Sequence, residues 1–482
     1  MEDLLFFDSV LVLELIKEPG KKHDICVNYR LPRTTQTNEL AKRISGFCFP
    51  DATEFPKETM ENERFSFVLT DSDAGRKFGY CLRHLRRDTK LPIAYTVITS
   101  YPCPELYYKI VERIAYHYEN SSSALLTQFL ESVIKNSIPP PGKSFTIELN
   151  GNENWNITRE ENQTPLNQFP IDIFLSLITP ENIVKIFSSL LLERRIIYCA
   201  STLANLSIVV QAMMTLIYPF TWQHIYIPIL PESLLDCCCA PMPFVVGILR
   251  TSLDRVEQLP MEPDVLIFDV DNNVFRRPTP QGNDDIDLLP DYYKSNILRK
   301  LKETKKLIRP PKARIFARSA RMFDSNKIIE EIQTQFLDLM TEILGPAYKL
   351  HFSPQQTYNL EAFKNSSRID FMSLLEQLTS SQLFSCFIRQ ELFSSENSVK
   401  NQKFEQRIRN WLNINNFQAA FIRQTEPQQR NSRAVTVGPP IKKELPPIPM
   451  FSNLPATPTR KPFAPDMPIY ARAHRPRAPT IA

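Results

Sequence analysis

The residue string closest to a chemical motif is Pro141-Gly142-Lys143-Ser144, which resembles the end of a phosphate-binding loop. Such a loop surrounds phosphates with glycines and with free backbone N–H groups. The first glycine of the pattern would stand at position 137, which is Ser137, and Pro139 and Pro140 offer no N–H. The sequence therefore does not support a nucleoside triphosphate site in this stretch.

Metal ligands and nucleophiles are also sparse. No two of the six histidines lie within five residues of each other. The adjacent Cys237, Cys238 and Cys239 lack both the two-residue gap and the second cluster of a zinc site. The Gly-X-Ser-X-Gly and His-Glu-X-X-His patterns are missing as well. We therefore expect no catalytic residue, no metal and no organic cofactor, and a protein that acts on another protein.

The composition points the same way. Only 10 of 482 residues are glycine, and the net charge of +4 argues against a nucleic-acid binder. The nine cysteines follow no disulfide spacing, and the amino terminus lacks the basic region of a signal peptide, so we expect a reducing, cytoplasmic location. The longest apolar stretch, 204–220, is interrupted by polar residues and predicts a buried helix rather than a membrane span.

The sequence predicts a first part of the chain that is rich in strands and ends in a helix. Residues 1–118 are rich in strand formers, with a hairpin over 65–81, a strand over 92–99 and a helix over 104–118. A second helix at 125–134 opens the segment 119–170, which then becomes polar and rich in asparagine. We expect this segment to be a linker between two lobes.

An alternation of helices and strands follows from 171 to 295. Helices are predicted at 183–192 and 203–217, a short one at 234–239, and strands at 195–199, 222–229, 244–248 and 264–269. This order indicates an α/β fold with a largely parallel sheet.

The last third changes character twice. Residues 296–322 hold ten Lys/Arg and one acid, which is typical of a solvated basic connector or of a surface for anionic lipid or an acidic partner. Helices are predicted through 323–425, the first of them ending at Gly345-Pro346. Residues 426–482 carry 13 prolines and should be disordered.

Three strings stand together in the α/β part. They are Leu190-Leu-Leu-Glu-Arg-Arg-Ile-Ile197, Tyr218-Pro-Phe-Thr-Trp-Gln-His-Ile-Tyr-Ile-Pro-Ile-Leu-Pro231 and Cys238-Cys-Ala-Pro-Met-Pro-Phe244. In order and spacing they resemble the central module of the DENN domain. Upstream, Gly46–Pro50 and 65–81 resemble the upstream DENN module, and 323–392 resembles the downstream one. The resemblance covers about 1–400 and is strongest to the connecdenn branch.

The resemblance implies a two-lobed, tripartite fold. A longin-like N-lobe would span 1–118, an α/β C-lobe 171–295 and a helical downstream part 323–425, followed by the disordered Pro-rich tail. It also implies guanine-nucleotide exchange on a Rab-type small GTPase seated between the lobes, in endosomal or vesicle trafficking and endocytosis. A non-catalytic scaffold that holds a GTPase, and a lipid-binding adaptor, remain alternatives. The implied location is cytoplasmic and peripheral on endosomal or vesicle membranes.

The candidate contact residues come from the same motifs. Glu193 and Arg194 stand at a helix-to-strand join, where either a structural ion pair or a GTPase contact is expected. Gln223 and His224 are predicted on a strand, where a core role competes with contact. Pro241, Met242 and Pro243 are expected to shape a loop at a strand start.

The tail offers a different kind of site. It lacks an acidic clathrin box and Asp-Pro-Phe motifs, so the tail departs from the connecdenn pattern and gives no support for recruitment to coated vesicles. Two PxxP strings could dock on an SH3 domain in opposite orientations. The first comprises Lys443, Pro446 and Pro449, and the second Pro455, Pro458 and Arg460.

Overall fold

The computed structural model describes twelve ranges of the chain, all within the compact unit Met1–Pro427. They are 6–17, 23–70, 75–140, 142–149, 153–158, 170–276, 289–306, 318–345, 347–352, 357–367, 369–393 and 402–414. The tail 426–482, with both PxxP strings, lies outside the described residues.

The first sheet is antiparallel and has the order β2-β1-β5-β4-β3. Its strands are β1 (Ser9–Ile16), β2 (Asp24–Leu31), β3 (Glu63–Thr70), β4 (Arg76–Leu85) and β5 (Pro92–Thr99). In β1, Leu11 and Leu13 point into one hydrophobic cluster, whereas Val10 and Val12 point into another. Because alternate side chains face opposite sides of a sheet, both faces of this sheet are buried at its centre, where β1 and β5 are buried along almost their whole length.

Helices and a hairpin cover the two faces. Helix α1 (Thr35–Cys48) packs on one face, and α2 (Pro104–Asn120) and α3 (Ser123–Ile134) cover the other. Thr34 and Ser122 cap α1 and α3, since their hydroxyls accept backbone N–H bonds.

The segment 119–170 is more than the predicted linker. Besides α3 it holds a hairpin of β6 (Ser144–Leu149) and β7 (Glu153–Thr158). Ile147 and Ile157 are buried in the cluster of α2 and α3, and the Trp155 ring lies 5.4 Å from that of Phe129. The asparagines obscured an alternating apolar face, which is what anchors the hairpin to the first lobe.

The second sheet has the order β12-β11-β8-β10-β9 and confirms the predicted α/β fold. Strands β8 (Ile196–Ala200), β9 (Ile225–Ile227), β10 (Phe244–Leu249) and β11 (Leu266–Asp269) are parallel, and β12 (Val274–Arg276) is antiparallel. The predicted strand 222–229 is only three residues long, because Pro228 has no N–H for the ladder. A Cβ on Gly247 would lie 2.1 Å from the Pro228 carbonyl, so β10 needs glycine there.

Helices surround this sheet. Helices α4 (Ile171–Leu177), α5 (Pro180–Leu191), α6 (Leu203–Thr215) and α7 (Leu253–Glu257) belong to the α/β layer, which also includes a 3₁₀ turn at Glu232–Cys239. Downstream follow α8 (Asp291–Lys306), α9 (Arg318–Leu344), α10 (Ala347–Leu350), α11 (Leu360–Ser366), α12 (Met372–Leu378), α13 (Gln382–Phe393) and α14 (Gln402–Ile414). No single helix in the described ranges has the length and apolar character of a membrane span; only α4 and α5 together, bent by 97°, meet that test.

The basic segment 296–322 is not simply a connector. Its first part is the second half of α8, and its end is the start of α9; residues 307–317 lie outside the described residues. Ile297 and Leu301 are buried, and Lys302 pairs with Glu181 at 2.7 Å. Its apolar residues recur at helical spacing, and the high charge concealed this pattern. Helix α9 ends as predicted, with Gly345 at a φ of 59°.

The two lobes share one hydrophobic core. A single buried cluster includes Leu13 and Phe67 of the first sheet and Phe187 and Val209 of the α/β layer. Helix α6 packs on β3, where Gln211 Nε2 donates to the Ser66 hydroxyl at 2.7 Å. Arg76 Nη2 donates to the Trp222 carbonyl at 2.5 Å. The lobes are therefore joined through apolar and polar contacts.

Arg83 lies at the centre of a buried ion cluster, with its side chain 2% exposed. It donates to Asp51 Oδ1 and to Glu63 Oε2, each at 2.6 Å. Burial alone would lower the pKa of Arg83, but the two carboxylates outweigh it and raise that pKa above its ordinary value. Glu63 Oε1 also accepts from the Leu203 N–H at 3.2 Å, at the start of α6.

Removing the Arg83 charge should destabilise the whole unit. Arg83→Met leaves two carboxylates without their cation, so we expect the free energy of unfolding to fall by about 3–5 kcal/mol. Urea unfolding followed by circular dichroism measures this loss. The exposed Arg87→Met is the matched control and should change stability by less than about 0.5 kcal/mol. Equal midpoints for both variants would contradict the assigned role.

Candidate functional site

The candidate contact residues of the α/β part lie at one edge of its sheet. Glu193 and Arg194 precede β8, Gln223 and His224 precede β9, and the loop 241–243 precedes β10. Because these three strands are parallel neighbours, the loops meet at their amino ends. We call this surface the amino edge.

Glu193 has an unusual backbone conformation that the sequence did not reveal. Its φ of 49° lies in the left-handed region, just after helix α5. The Glu193 N–H bonds the Leu190 carbonyl at 3.1 Å, and the Arg194 N–H bonds the Ser189 carbonyl at 3.0 Å. This is a Schellman ending, in which glycine usually occupies the left-handed position. The left-handed conformation costs a residue other than glycine about 1–2 kcal/mol. Contacts of the Glu193 side chain elsewhere in the fold offset this cost.

The Glu193 carboxylate caps a distant helix. It accepts the N–H groups of Gln382 at 3.0 Å and Leu383 at 2.7 Å, at the start of α13. A carboxylate at a helix amino end is favoured by the unpaired N–H groups and by the helix dipole. His224 Nε2 also lies 3.0 Å from Glu193 Oε1, and each side chain is 10% exposed. Glu193 and His224 thus contact one another and α13.

Arg195 holds the loop before β10. Its Nη1 donates to Asp264 Oδ1 at 2.6 Å, and its Nη2 donates to the Pro241 carbonyl. Trp222, only 2% exposed, donates its Nε1 proton to the Ile225 carbonyl at 3.1 Å. These contacts fix the loops before β9 and β10.

Three candidates remain accessible at the amino edge. Gln223 and Pro241 are exposed, and Met242 is 37% exposed. Pro243 and Arg194 are half-buried. A methionine between two prolines offers an apolar contact on a stiff backbone. The amino edge can therefore bind a partner by surface contact. Glu193 and His224, which are mostly buried, stabilise its loops.

The opposite edge of the sheet carries a network of charges. Asp269, at the end of β11, accepts from Arg250 Nη1 at 3.0 Å and from the Asn272 N–H at 3.0 Å. Arg250 also bonds Asp271, which in turn accepts from the Ser201 N–H at 2.8 Å. The carboxyl ends of parallel strands are where α/β folds usually bind ligands. Here these side chains bond one another.

The thiols of the 3₁₀ turn are weak nucleophiles. Burial raises the pKa of Cys238 to about 12 and also raises the pKa of Cys237 and Cys239. They therefore remain protonated at neutral pH. Within the described ranges, no group of three or more His, Cys, Asp or Glu side chains could hold a metal ion.

Two family models match the chain. The model described as "uDENN domain" matches residues 27–84, and the "DENN (AEX-3) domain" model matches residues 90–273. The chain belongs to the DENN domain family. The boundary between the two models falls between β4 and β5, which pair within one sheet. The uDENN and DENN modules therefore share a sheet as well as a core.

The relatives that match this chain are DENN domain-containing proteins as well. Human DENN domain-containing protein 2B is 30% identical over 426 residues, which is 84% of this chain and 36% of that protein. Human DENN domain-containing protein 2D is 29% identical over 410 residues, which is 81% of each chain. The mouse 2B protein is 30% identical over 426 residues. The chain thus spans about a third of the length of the 2B relatives.

Replacing the helix-capping glutamate of this DENN protein should cost stability. Glu193→Ala leaves two N–H groups of α13 without an acceptor, so we expect a loss of about 1–3 kcal/mol. Glu193→Gln keeps an acceptor oxygen and should lose about half as much. Urea midpoints compare the two variants. An unchanged midpoint for Glu193→Ala would mean that the cap contributes nothing.

Stability should also depend on pH through Asp269, whose side chain is fully buried. Burial would raise the Asp269 pKa, but hydrogen bonds from Arg250 and Asn272 outweigh it and lower the pKa to about 2. A lowered carboxyl pKa stabilises the fold above about pH 4, and this contribution, about 2 kcal/mol, is lost as the pH falls towards 2.

Comparing variants across pH isolates this contribution. The gap in unfolding free energy between the unaltered chain and Asp269→Asn should be widest at neutral pH and shrink between pH 4 and pH 2. Denaturant titrations at several pH values measure it. Asp254→Asn, at an exposed position, serves as control and should change the unfolding free energy at neutral pH by less than about 0.5 kcal/mol. A constant gap for Asp269→Asn would be inconsistent with a lowered pKa.

Proposed function

We propose that this chain is a guanine-nucleotide exchange factor for a Rab-type small GTPase. The observation that carries the proposal is the pair of uDENN and DENN matches on one continuous two-lobed core. DENN family proteins are generally Rab GTPase regulators. The scarcity of nucleophiles and metal ligands is compatible with this role, since exchange needs no covalent chemistry.

The mechanism is differential binding. An exchange factor binds the nucleotide-free GTPase more tightly than the loaded form, and by linkage it weakens nucleotide affinity equally. A difference of about 4–6 kcal/mol would weaken the bound nucleotide by three to four decades. Excess GTP then sets the direction of loading.

We place part of the GTPase contact at the amino edge. Met242, Pro241 and Gln223 project from loops that Arg195, Glu193 and His224 contact. A stiff surface favours differential binding because it does not relax to fit both states of the GTPase. The predicted seat between the lobes remains part of this proposal.

A charge on the amino edge should impair exchange. Met242→Glu places a carboxylate in an apolar contact, so we expect the GDP release rate to fall at least about tenfold. The measurement mixes the full chain with a panel of Rab proteins loaded with fluorescent GDP. Val274→Glu, at the far edge of the same sheet and 46% exposed, is the matched control and should retain activity.

The panel also separates the alternatives. If no Rab responds although the chain is folded, but one binds in its nucleotide-free form, the chain is a non-catalytic scaffold. If exchange occurs and Met242→Glu leaves it intact, the contact lies elsewhere on the two lobes. Liposome binding with neither effect would favour the lipid-binding adaptor.

We propose a separate role for the tail. Its PxxP strings, bounded by Lys443 and Arg460, would recruit an SH3 domain through a preformed polyproline helix. An SH3 array probed with peptide 438–462 should show binding of about 1–100 μM. Lys443→Glu should weaken the first string and Arg460→Glu the second. An array without any binder would end this proposal.

We also propose a cytoplasmic location, peripheral on endosomal or vesicle membranes, because a Rab-type substrate would be encountered there. The basic segment could add weak attraction to anionic lipid, at most about 1 kcal/mol per cation near the surface. In its described part, Lys302 pairs with Glu181, and Arg299 with Glu303 at 3.1 Å. These pairs reduce the charge available, so co-sedimentation with phosphatidylserine vesicles should be weak and salt-sensitive.

A further inference from the structure

Residues 221–224 form an irregular stretch of backbone just before β9, and they carry Gln223 of the amino edge. Strand β9 is only three residues long and lies at the edge of the α/β sheet, next to β10. A short edge strand restrains the backbone before it only weakly. The conformation that exposes Gln223 therefore depends on contacts that residues 221–224 make outside the sheet.

The residues on either side of Gln223 are both held. The indole of Trp222 is buried, and His224 contacts Glu193 at 3.0 Å. Gln223 itself donates from Nε2 to the Thr221 carbonyl at 2.7 Å. Because a carbonyl oxygen can only accept, the amide oxygen of Gln223 is directed away from Thr221. Gln223 can therefore offer that oxygen to a donor on a partner.

Arg76, the first residue of β4, reaches this stretch from the first lobe. Its Nη2 donates to the Trp222 carbonyl at 2.5 Å, and no other group in the described ranges donates to that oxygen. Its guanidinium also lies over the Tyr226 ring of β9, 5.3 Å from the ring centroid, as in a cation–π contact. One side chain of the first lobe thus contacts both the backbone before β9 and the strand itself.

The position of Arg76 is not explained by an ion pair. The hydrogen bonds that Arg250 donates to Asp269 raise the pKa of Arg250, as is usual for a paired arginine. Burial instead lowers the pKa of Arg76, and no carboxylate among the described residues counteracts this effect. A half-buried cation without an anion is unfavourable, so the contacts with the Trp222 carbonyl and the Tyr226 ring are what offset its cost.

We propose that Arg76 is a positioning residue of the amino edge. From the first lobe it holds the Trp222 carbonyl, so that residues 221–224 present Gln223 to the GTPase in one conformation. A loop that is ordered before binding loses less conformational entropy on binding than a mobile one, so this contact favours affinity. The inference rests on the proposed exchange function and adds to it a residue outside the α/β sheet.

Hydrogen–deuterium exchange of the full chain, followed by mass spectrometry, tests the positioning without any GTPase. Arg76→Met keeps an apolar stem and removes the donor, so amides in peptides covering 221–227 should lose at least about tenfold in protection. Peptides covering β10 should keep their protection, which separates local loosening from a loss of global stability. Arg76→Lys keeps a cationic donor and should stay within about threefold of the unaltered chain.

Arg30→Met is the matched control. Arg30 is also a half-buried arginine of the first sheet, but it lies on β2, at the edge opposite β3. Its replacement should leave the protection of 221–227 unchanged. Unchanged protection of 221–227 in Arg76→Met, or an equal loss in Arg30→Met, would overturn the proposal.

Exchange kinetics provide the second readout. With a Rab that responds to the unaltered chain, Arg76→Met should raise the KM for that Rab at least about fivefold and change kcat by less than about twofold, because binding is weakened rather than the displacement step. Arg76→Lys should restore the KM, and an unchanged KM in Arg76→Met would also overturn the proposal. If no Rab responds to the unaltered chain, the proposed exchange function fails, whereas the deuterium result still decides the role of Arg76.

Discussion

The buried contact of Arg83 with Asp51 and Glu63 is the interaction on which the arrangement of the lobes depends. Three charged groups are withdrawn from water at the junction, and this is tolerable only because each finds partners. Glu63 does more than pair with the arginine. It also accepts the Leu203 N–H at the start of α6, the helix that packs on β3. One carboxylate therefore contacts both the first sheet and the α/β layer, in addition to their shared core.

Glu193, just before β8, makes a similar long-range contact through its carboxylate. It is an acid from one module that caps the amino end of a helix in another, α13. Both contacts join residues far apart in sequence, so they oppose separation of the uDENN part, the DENN part and the helices that follow them. Because the core is also continuous across the lobes, the described unit should unfold as one body rather than lobe by lobe.

Local pattern was enough to predict the elements whose own residues determine them. Strands β3 to β5 and helices α2, α5 and α6 follow from apolar periodicity, and the end of α9 follows from Gly345. Two of the misses share one cause. The hairpin β6–β7 and helix α8 are stabilised by partners distant in sequence, whereas asparagines and lysines dominate their composition. The left-handed backbone and distant helix cap of Glu193 depend on tertiary context, which no local signal encodes.

The two edges of the α/β sheet differ in what they leave available. At the carboxyl edge, Asp269, Arg250 and Asp271 bond one another, so contact there would first have to break these pairs. At the amino edge, Glu193 bonds to α13 and Arg195 to the loop before β10, and Met242 and Gln223 remain exposed. Binding at the carboxyl edge would therefore incur a desolvation cost that the amino edge avoids. A protein that acts by binding alone gains most from such a surface, because little of the contact free energy is lost in reorganising its own side chains.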